Sequence, residues 1–185
     1  MKPGISRRTL VKWLMGGGVL SMLAAMASGI NSLKPLTKMR EKPRPAAGDR
    51  LVFASGPDQG RAITKADLPL GKATLAFPEG KEANEENLII LAHLEELQPP
   101  TRLEWTAQGF VAYSAICTHL CCDVLGGLKN GFIDCPCHGG IFDARRGATV
   151  VAGPPPRPLP QLPIKMGDGD KLVVAGEFGR PVGCS

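Results

Sequence analysis

Cys117-Thr118-His119-Leu120-Cys121-Cys122 and, after a twelve-residue loop, Cys135-Pro136-Cys137-His138-Gly139-Gly140 contain five of the chain's six cysteines and two of its three histidines. Each box offers a cysteine and a histidine within three residues, the donor types and spacing of a metal site. Neither box is a haem attachment site, because C-x-C-H lacks the C-x-x-C-H spacing. A structural zinc held by two Cys and two His is the plain alternative. Zinc, however, has no use for further cysteines placed one step away in each box.

Working outward, short apolar runs broken by Gly and Pro read as strands at 51–54, 73–77, 88–91, 110–116, 149–152 and 171–175. Residues 102–116 read as a hairpin, with Trp105-Thr106-Ala107-Gln108-Gly109-Phe110 as two strand ends around its turn, and Asp168-Gly169-Asp170 as a turn before the last strand. Residues 81–87 are charged and offer one helical turn at most. No stretch of the body carries a long amphipathic helical pattern and no internal repeat is present. The fold class is all-β, an antiparallel sandwich or barrel.

The 185 residues carry a net charge of +5, 43% apolar and 21% charged side chains, enough for a packed core and against wholesale disorder. The charge is unevenly spread. All of the positive excess lies in residues 1–50, and the body is mildly acidic, which excludes a nucleic-acid-binding groove. Ser6-Arg7-Arg8-Thr9-Leu10-Val11-Lys12 precedes an uncharged run over 13–33, whose 21 residues would span about 32 Å as a helix, a bilayer's hydrocarbon thickness. The leader resembles the twin-arginine export signal, with Leu10 in place of the usual Phe. Ala25-Met26-Ala27 offers a cleavage site after Ala27, but the apolar run continues to Ile30, longer than a signal core, so a retained anchor is expected. Residues 34–50, with three prolines and many charges, have linker composition. The expected organisation is a cytoplasmic N-terminus (1–12), a transmembrane anchor (13–33), a flexible hinge (34–50) and a body (51–185) whose metal-binding part covers about 115–158.

The two boxes resemble the Rieske [2Fe–2S] motif, C-T-H-x-G-C with C-P-C-H-G, and the chain is identified as a member of that family. The resemblance implies a [2Fe–2S] cluster in which Cys117 and Cys135 ligate one iron and His119 and His138 the other. It also implies a disulfide between Cys122 and Cys137, which an exported compartment permits. Gly153-Pro154-Pro155-Pro156-Arg157-Pro158-Leu159 is similar to the proline loop covering the cluster in Rieske subunits of cytochrome bc and b6f complexes, so Leu120, Gly153, Pro154 and Pro155 are expected around the cofactor. The fold implied is a Rieske-type antiparallel sandwich with a small cluster-binding subdomain.

Three positions depart from the family. Gly140 and Phe142 replace a Ser and a Tyr whose hydroxyls donate to cluster sulfurs in high-potential members, which lowers the expected potential. Cys121 stands where the family has Gly. With Cys184 it forms an even remainder, read either as a second disulfide or as two unpaired thiols near a fraying tail. His93 is read as a structural histidine. The acidic stretch 79–86 is read as a solvated loop or, alternatively, a docking patch for a basic cytochrome.

The function implied is that of the electron-transfer subunit of a quinol:cytochrome c oxidoreductase on the outer side of a bacterial cytoplasmic membrane. Its partners would be quinol (menaquinol, given the low potential), a cytochrome b subunit and a c-type cytochrome, in a dimeric complex. His138 and His119 would carry the proton-coupled step, and the chain alone would have no turnover. The competing readings are the Rieske subunit of an arsenite-oxidase-type molybdoenzyme and a soluble Rieske ferredoxin serving an oxygenase.

Overall fold

The computed structural model describes residues 6–15, 42–125 and 127–184. Residues 6–15 belong to a first unit and residues 42–184 to a second. In the first, residues 7–15 are helical. Ser6 caps the helix, its carbonyl and hydroxyl oxygens accepting from the Thr9 N–H at 2.9 and 3.3 Å. Most of the apolar run expected to span a membrane lies outside the described residues, and among those described no helix is long and apolar enough to cross one.

The second unit is built on a five-stranded antiparallel sheet. β1 (Leu51–Phe53), β2 (Ala73–Pro78), β3 (Ile89–His93) and β4 (Phe110–Ser114) follow in order, and β9 (Gln161–Leu162) pairs beyond β4. β3 and β4 read as continuous apolar runs because both of their faces are covered. Ile90, Ala92, Val111 and Tyr113 face one core, while Ile89, Leu91, Phe110 and Ala112 face the other. The second core is closed by the hairpin of β10 (Ile164–Met166) and β11 (Leu172–Val174). Its connection includes Asp168–Asp170, the turn read from the sequence, with Gly169 in the left-handed region.

The first core is closed by a four-stranded sheet of β5 (Leu128–Lys129), β6 (Phe132–Cys135), β7 (Gly140–Asp143) and β8 (Thr149–Ala152). The main chain leaves the five-stranded sheet after Ser114 and returns at Gln161, so this sheet is an insertion between neighbouring strands. Tyr113 ties the layers together. Its buried hydroxyl donates to the Ala144 carbonyl at 2.9 Å, and burial pushes the phenol well above its ordinary range. Pro163, which has no N–H for a ladder, stands between β9 and β10 where the chain changes sheets.

The hairpin expected over 102–116 is not formed. Leu103–Trp105 is a 3-10 turn, and β4 pairs with β3 and β9 instead. The Gln161 side chain takes both backbone groups of Arg102, at 3.0 Å each, and the Arg102 guanidinium lies 4.1 Å over the Trp105 ring. A side chain thus satisfies backbone that a strand would have paired. Only the tight turn at Gln108-Gly109 survives, with both residues at positive φ.

Residues 42–50, read as the end of a free hinge, are held against the body. The Pro43 carbonyl accepts from the buried side chains of Asn84 (3.2 Å) and Asn87 (2.7 Å). Lys81 donates to the Arg44 carbonyl and pairs with Asp49 at 2.6 Å. Part of the stretch read as a solvated acidic loop is therefore a clamp. His93 is structural as expected: its Nδ1 lies 2.8 Å from the Leu68 carbonyl and its ring stacks on Phe110 at 4.0 Å.

Candidate metal centre

Three loops at one end of the inserted sheet meet. The first leaves β4, and its ends are drawn together by hydrogen bonds from Cys117 N–H to the Cys122 carbonyl (2.8 Å) and from Cys121 N–H to the Cys117 carbonyl (3.1 Å). The second is the turn between β6 and β7, where Cys135 pairs with Gly140 and Gly139, at positive φ, donates to the Cys135 carbonyl at 3.2 Å. The third is the proline loop after β8. It lies on the second by close backbone approach: a Cβ on Gly153 would stand 2.5 Å from the Gly139 carbonyl oxygen, so glycine is required there. Thr118, buried, donates to the Arg157 carbonyl at 2.7 Å and so joins the first loop to the third.

Four of the six cysteines form bridges. Cys122–Cys137 links the first two loops, with 6.6 Å between Cα atoms, and Cys121–Cys184 links the first loop to the C-terminal tail, with 5.1 Å. Of the two readings left open for Cys121 and Cys184, the structure adopts the bridge. Cys121 takes the left-handed conformation, φ 55°, that a glycine would occupy freely.

Cys117 and Cys135 remain as thiols, 1% and 2% exposed. Burial pushes the Cys117 thiol above its ordinary range and the adjacent Cys135 adds to the shift. The backbone N–H groups of His119 and Leu120, hydrogen-bonded to the sulfur, pull the other way. The two imidazoles meet edge to face with ring centroids 4.8 Å apart. His119 is half-buried, and its Nδ1 is a buried nitrogen with no hydrogen-bond partner. His138 is exposed, as are Leu120, Gly153 and Pro154 around the rim, while Pro155 is buried.

Among the described residues, no three His, Cys, Asp or Glu side chains converge as donors to a single ion. The donors come instead as two pairs, two sulfurs and two ring nitrogens. A two-iron cluster takes one pair on each iron. The residues fit such a group: two buried thiols kept out of disulfides, an orphaned buried imidazole nitrogen on the loop that carries one of them, and glycines with no room for a side chain.

A model of the Rieske [2Fe–2S] domain matches residues 63–163. With the fold and this donor set, that places the chain in the Rieske [2Fe–2S] family, whose domain binds a [2Fe–2S] cluster. A protein from Haloferax mediterranei, named "Putative respiratory nitrate reductase subunit Rieske", is 33% identical over 184 residues, covering 98% of this chain and 82% of the relative. The "Cytochrome bc1 complex Rieske iron-sulfur subunit" of Streptomyces coelicolor is 33% identical over 97% of this chain. The protein of the same name from Mycobacterium tuberculosis is 41% identical over 86%. The chain covers 53% and 37% of those two relatives' own lengths.

The donors, the rim and the Cys122–Cys137 bridge were readable from the sequence, and the Cys121–Cys184 bridge as one of two readings; the hydrogen bonds and close approach that also fasten the loops were not. Thr118, Arg157 and Gly183 join the first loop, the proline loop and the tail. The Gly-Cys pair at the end of the chain was the available signal for the tail's part in this.

Proposed function

We propose that this chain is the electron-transfer iron–sulfur subunit of a quinol:cytochrome c oxidoreductase, anchored by one N-terminal helix with its head on the outer side of a bacterial cytoplasmic membrane. The observation that carries the reading is the asymmetry of the donor pairs: thiols sealed in the core, and the His138 imidazole open to solvent in an apolar rim. The names of the bc1-complex relatives support it.

In this reading Cys117 and Cys135 hold one iron and His119 and His138 the other. When bound, the cluster supplies a one-electron acceptor whose added charge makes its imidazole ligands more basic. His138 accepts a hydrogen bond from a quinol hydroxyl bound in a cytochrome b partner, and takes up its proton. Leu120, 60% exposed, with Gly153 and Pro154, seats against that partner and excludes water. The Cys122–Cys137 bridge keeps both histidine-bearing loops in register. The head then moves to a c-type cytochrome, with residues 42–50 travelling as part of it.

Gly140 and Phe142 bring no hydroxyl to the sulfurs. Fewer donors disfavour the more negative reduced state. The midpoint is expected in the lower half of the roughly −150 to +300 mV span of histidine-ligated clusters, which suits menaquinol. The Haloferax relative favours a second reading, in which the subunit relays electrons within another respiratory reductase.

Purification from native membranes tests the two. Co-isolation of a haem-b protein with menaquinol-dependent reduction of the cluster supports the first. A molybdenum-containing partner, with quinol inert, supports the second and overturns the first.

A further inference from the structure

The first loop carries His119, whose buried Nδ1 has no hydrogen-bond partner within the protein and so is left to serve as the donor atom. Where that nitrogen points is set by the backbone that bears the ring, together with the edge-to-face contact with His138. That backbone is secured in two directions by adjacent residues: Cys122 is bridged to the second loop and Cys121 to the tail. Cys121 sits at positive φ, a state that a non-glycine residue keeps only where its surroundings over-determine it.

The surroundings in question are the last residues of the chain. Gly183 is buried beneath the Cys121 sulfur at φ +84°, and a Cβ on it would stand 2.9 Å from that sulfur. The Arg157 guanidinium donates to the Pro181 carbonyl at 3.0 Å and to the Gly183 carbonyl at 2.6 Å. The same residue's own carbonyl accepts from Thr118, one position before His119. Val182 packs against the core that underlies the site. Tail, proline loop and first loop thus form a closed set of contacts.

We propose that residues 181–184 are a strap that positions His119. The Cys121–Cys184 bridge and Arg157 hold the first loop in the left-handed turn that presents the imidazole, and Cys121, Cys184 and Arg157 are positioning residues for the centre. The inference rests on the reading of His119 as a ligand, and on nothing about which quinol or cytochrome the protein serves. Closing a loop across 63 residues restricts the unfolded chain as well as the native loop, so the bridge also stabilises the head.

The test uses the full-length holoprotein in detergent and compares wild type with Cys184→Ser and Arg157→Gln. Hydrogen exchange is followed over residues 117–122, together with cluster bleaching in urea and the nitrogen couplings of the reduced centre by pulsed EPR. Cys184→Ser is expected to speed exchange at the Cys121 N–H and bleaching on the order of tenfold or more. It should also broaden the nitrogen couplings, with Cys122–Cys137 still intact by mass mapping. Arg157→Gln should shift all three readouts in the same direction by less.

Should Cys184→Ser fail to accumulate, wild type titrated with a water-soluble phosphine until mapping shows only Cys121–Cys184 open gives the same comparison. Unchanged exchange and couplings in the opened protein, or a free Cys184 thiol in untreated wild type, overturn the strap. A wild type without any [2Fe–2S] signal would overturn the ligand reading instead, and the exchange comparison would still decide whether the tail holds the loop.

Discussion

Pro155 occupies the space that a side chain on residue 140 would need: a Cβ built on Gly140 stands 2.6 Å from the Pro155 Cγ and 3.1 Å from its Cδ. A serine at this position would have to displace the Pro155 ring. Gly140→Ser alone should displace the proline loop and shed the cluster faster, on the scale of an overpacked core at roughly 1–3 kcal/mol. Gly140→Ser with Pro155→Ala should retain the cluster and raise its midpoint. Spectral stability and a redox titration of both variants check this. A single variant as stable as wild type would show that Pro155 yields.

Phe142 is fully buried on β7. Phe142→Tyr adds a donor at the position where the family has one. A hydrogen bond to a charged acceptor contributes about 1.5–3 kcal/mol, which at 59 mV per tenfold raises the midpoint by roughly 65–130 mV at most. Redox titration reads the shift. A lowered or unmoved potential would mean that the hydroxyl finds no sulfur.

The clamp on residues 42–50 predicts a separable effect. Asn87 donates to both the Pro43 and Lys81 carbonyls, at 2.7 and 3.0 Å, and Asn84 lies beside it. Asn84→Ala with Asn87→Ala should cost about 2 kcal/mol of stability, since the hydrogen bonds these two buried side chains make to the Pro43 and Lys81 carbonyls are lost. Cleavage by a protease within 42–48 should become faster while the cluster spectrum stays unchanged. Equal cleavage rates would show that the segment is free in solution.

Much of this was legible in advance because the signals were local. Residues 88–91 and 110–116 read as strands from their apolar runs alone, and the structure places β3 and β4 there within two residues at each end; the donors announced themselves by type and spacing. What escaped was non-local. β6 and β7 carry only two apolar residues each, Phe132-Ile133 and Ile141-Phe142, between Asp, Cys and Gly, and they sit in a sheet because the metal-binding turn pairs Cys135 with Gly140. Arg102–Trp105 resembled a strand until a glutamine 59 residues away took its backbone groups. Residues 42–50 had linker composition, and nothing near them in sequence revealed that Asn84 and Asn87 would be buried against Pro43. For Cys184 the sequence offered Cys121 as a partner but could not choose between a bridge and two thiols, because the contacts that seat the tail are non-local.

Asp67 supplies a pH dependence. Its carboxylate holds the Arg61 guanidinium at 2.9 and 3.0 Å and accepts from both the backbone and the hydroxyl of Thr64. The Arg61 side chain, first, and those Thr64 hydrogen bonds keep the acid well below the usual carboxylate range, against the effect of its burial. A carboxyl whose folded pKa is depressed contributes stability that is complete above its unfolded value of about 4 and is lost as pH falls through the folded one. Asp67→Asn should therefore be less stable than wild type by about 1 kcal/mol at pH 7, a modest figure because Arg61 is largely exposed. The gap should narrow steadily below pH 4. Denaturant unfolding of both proteins from pH 7 to pH 2.5 checks the sign. A gap that stays constant with pH would assign the loss to packing rather than to the charge on Asp67.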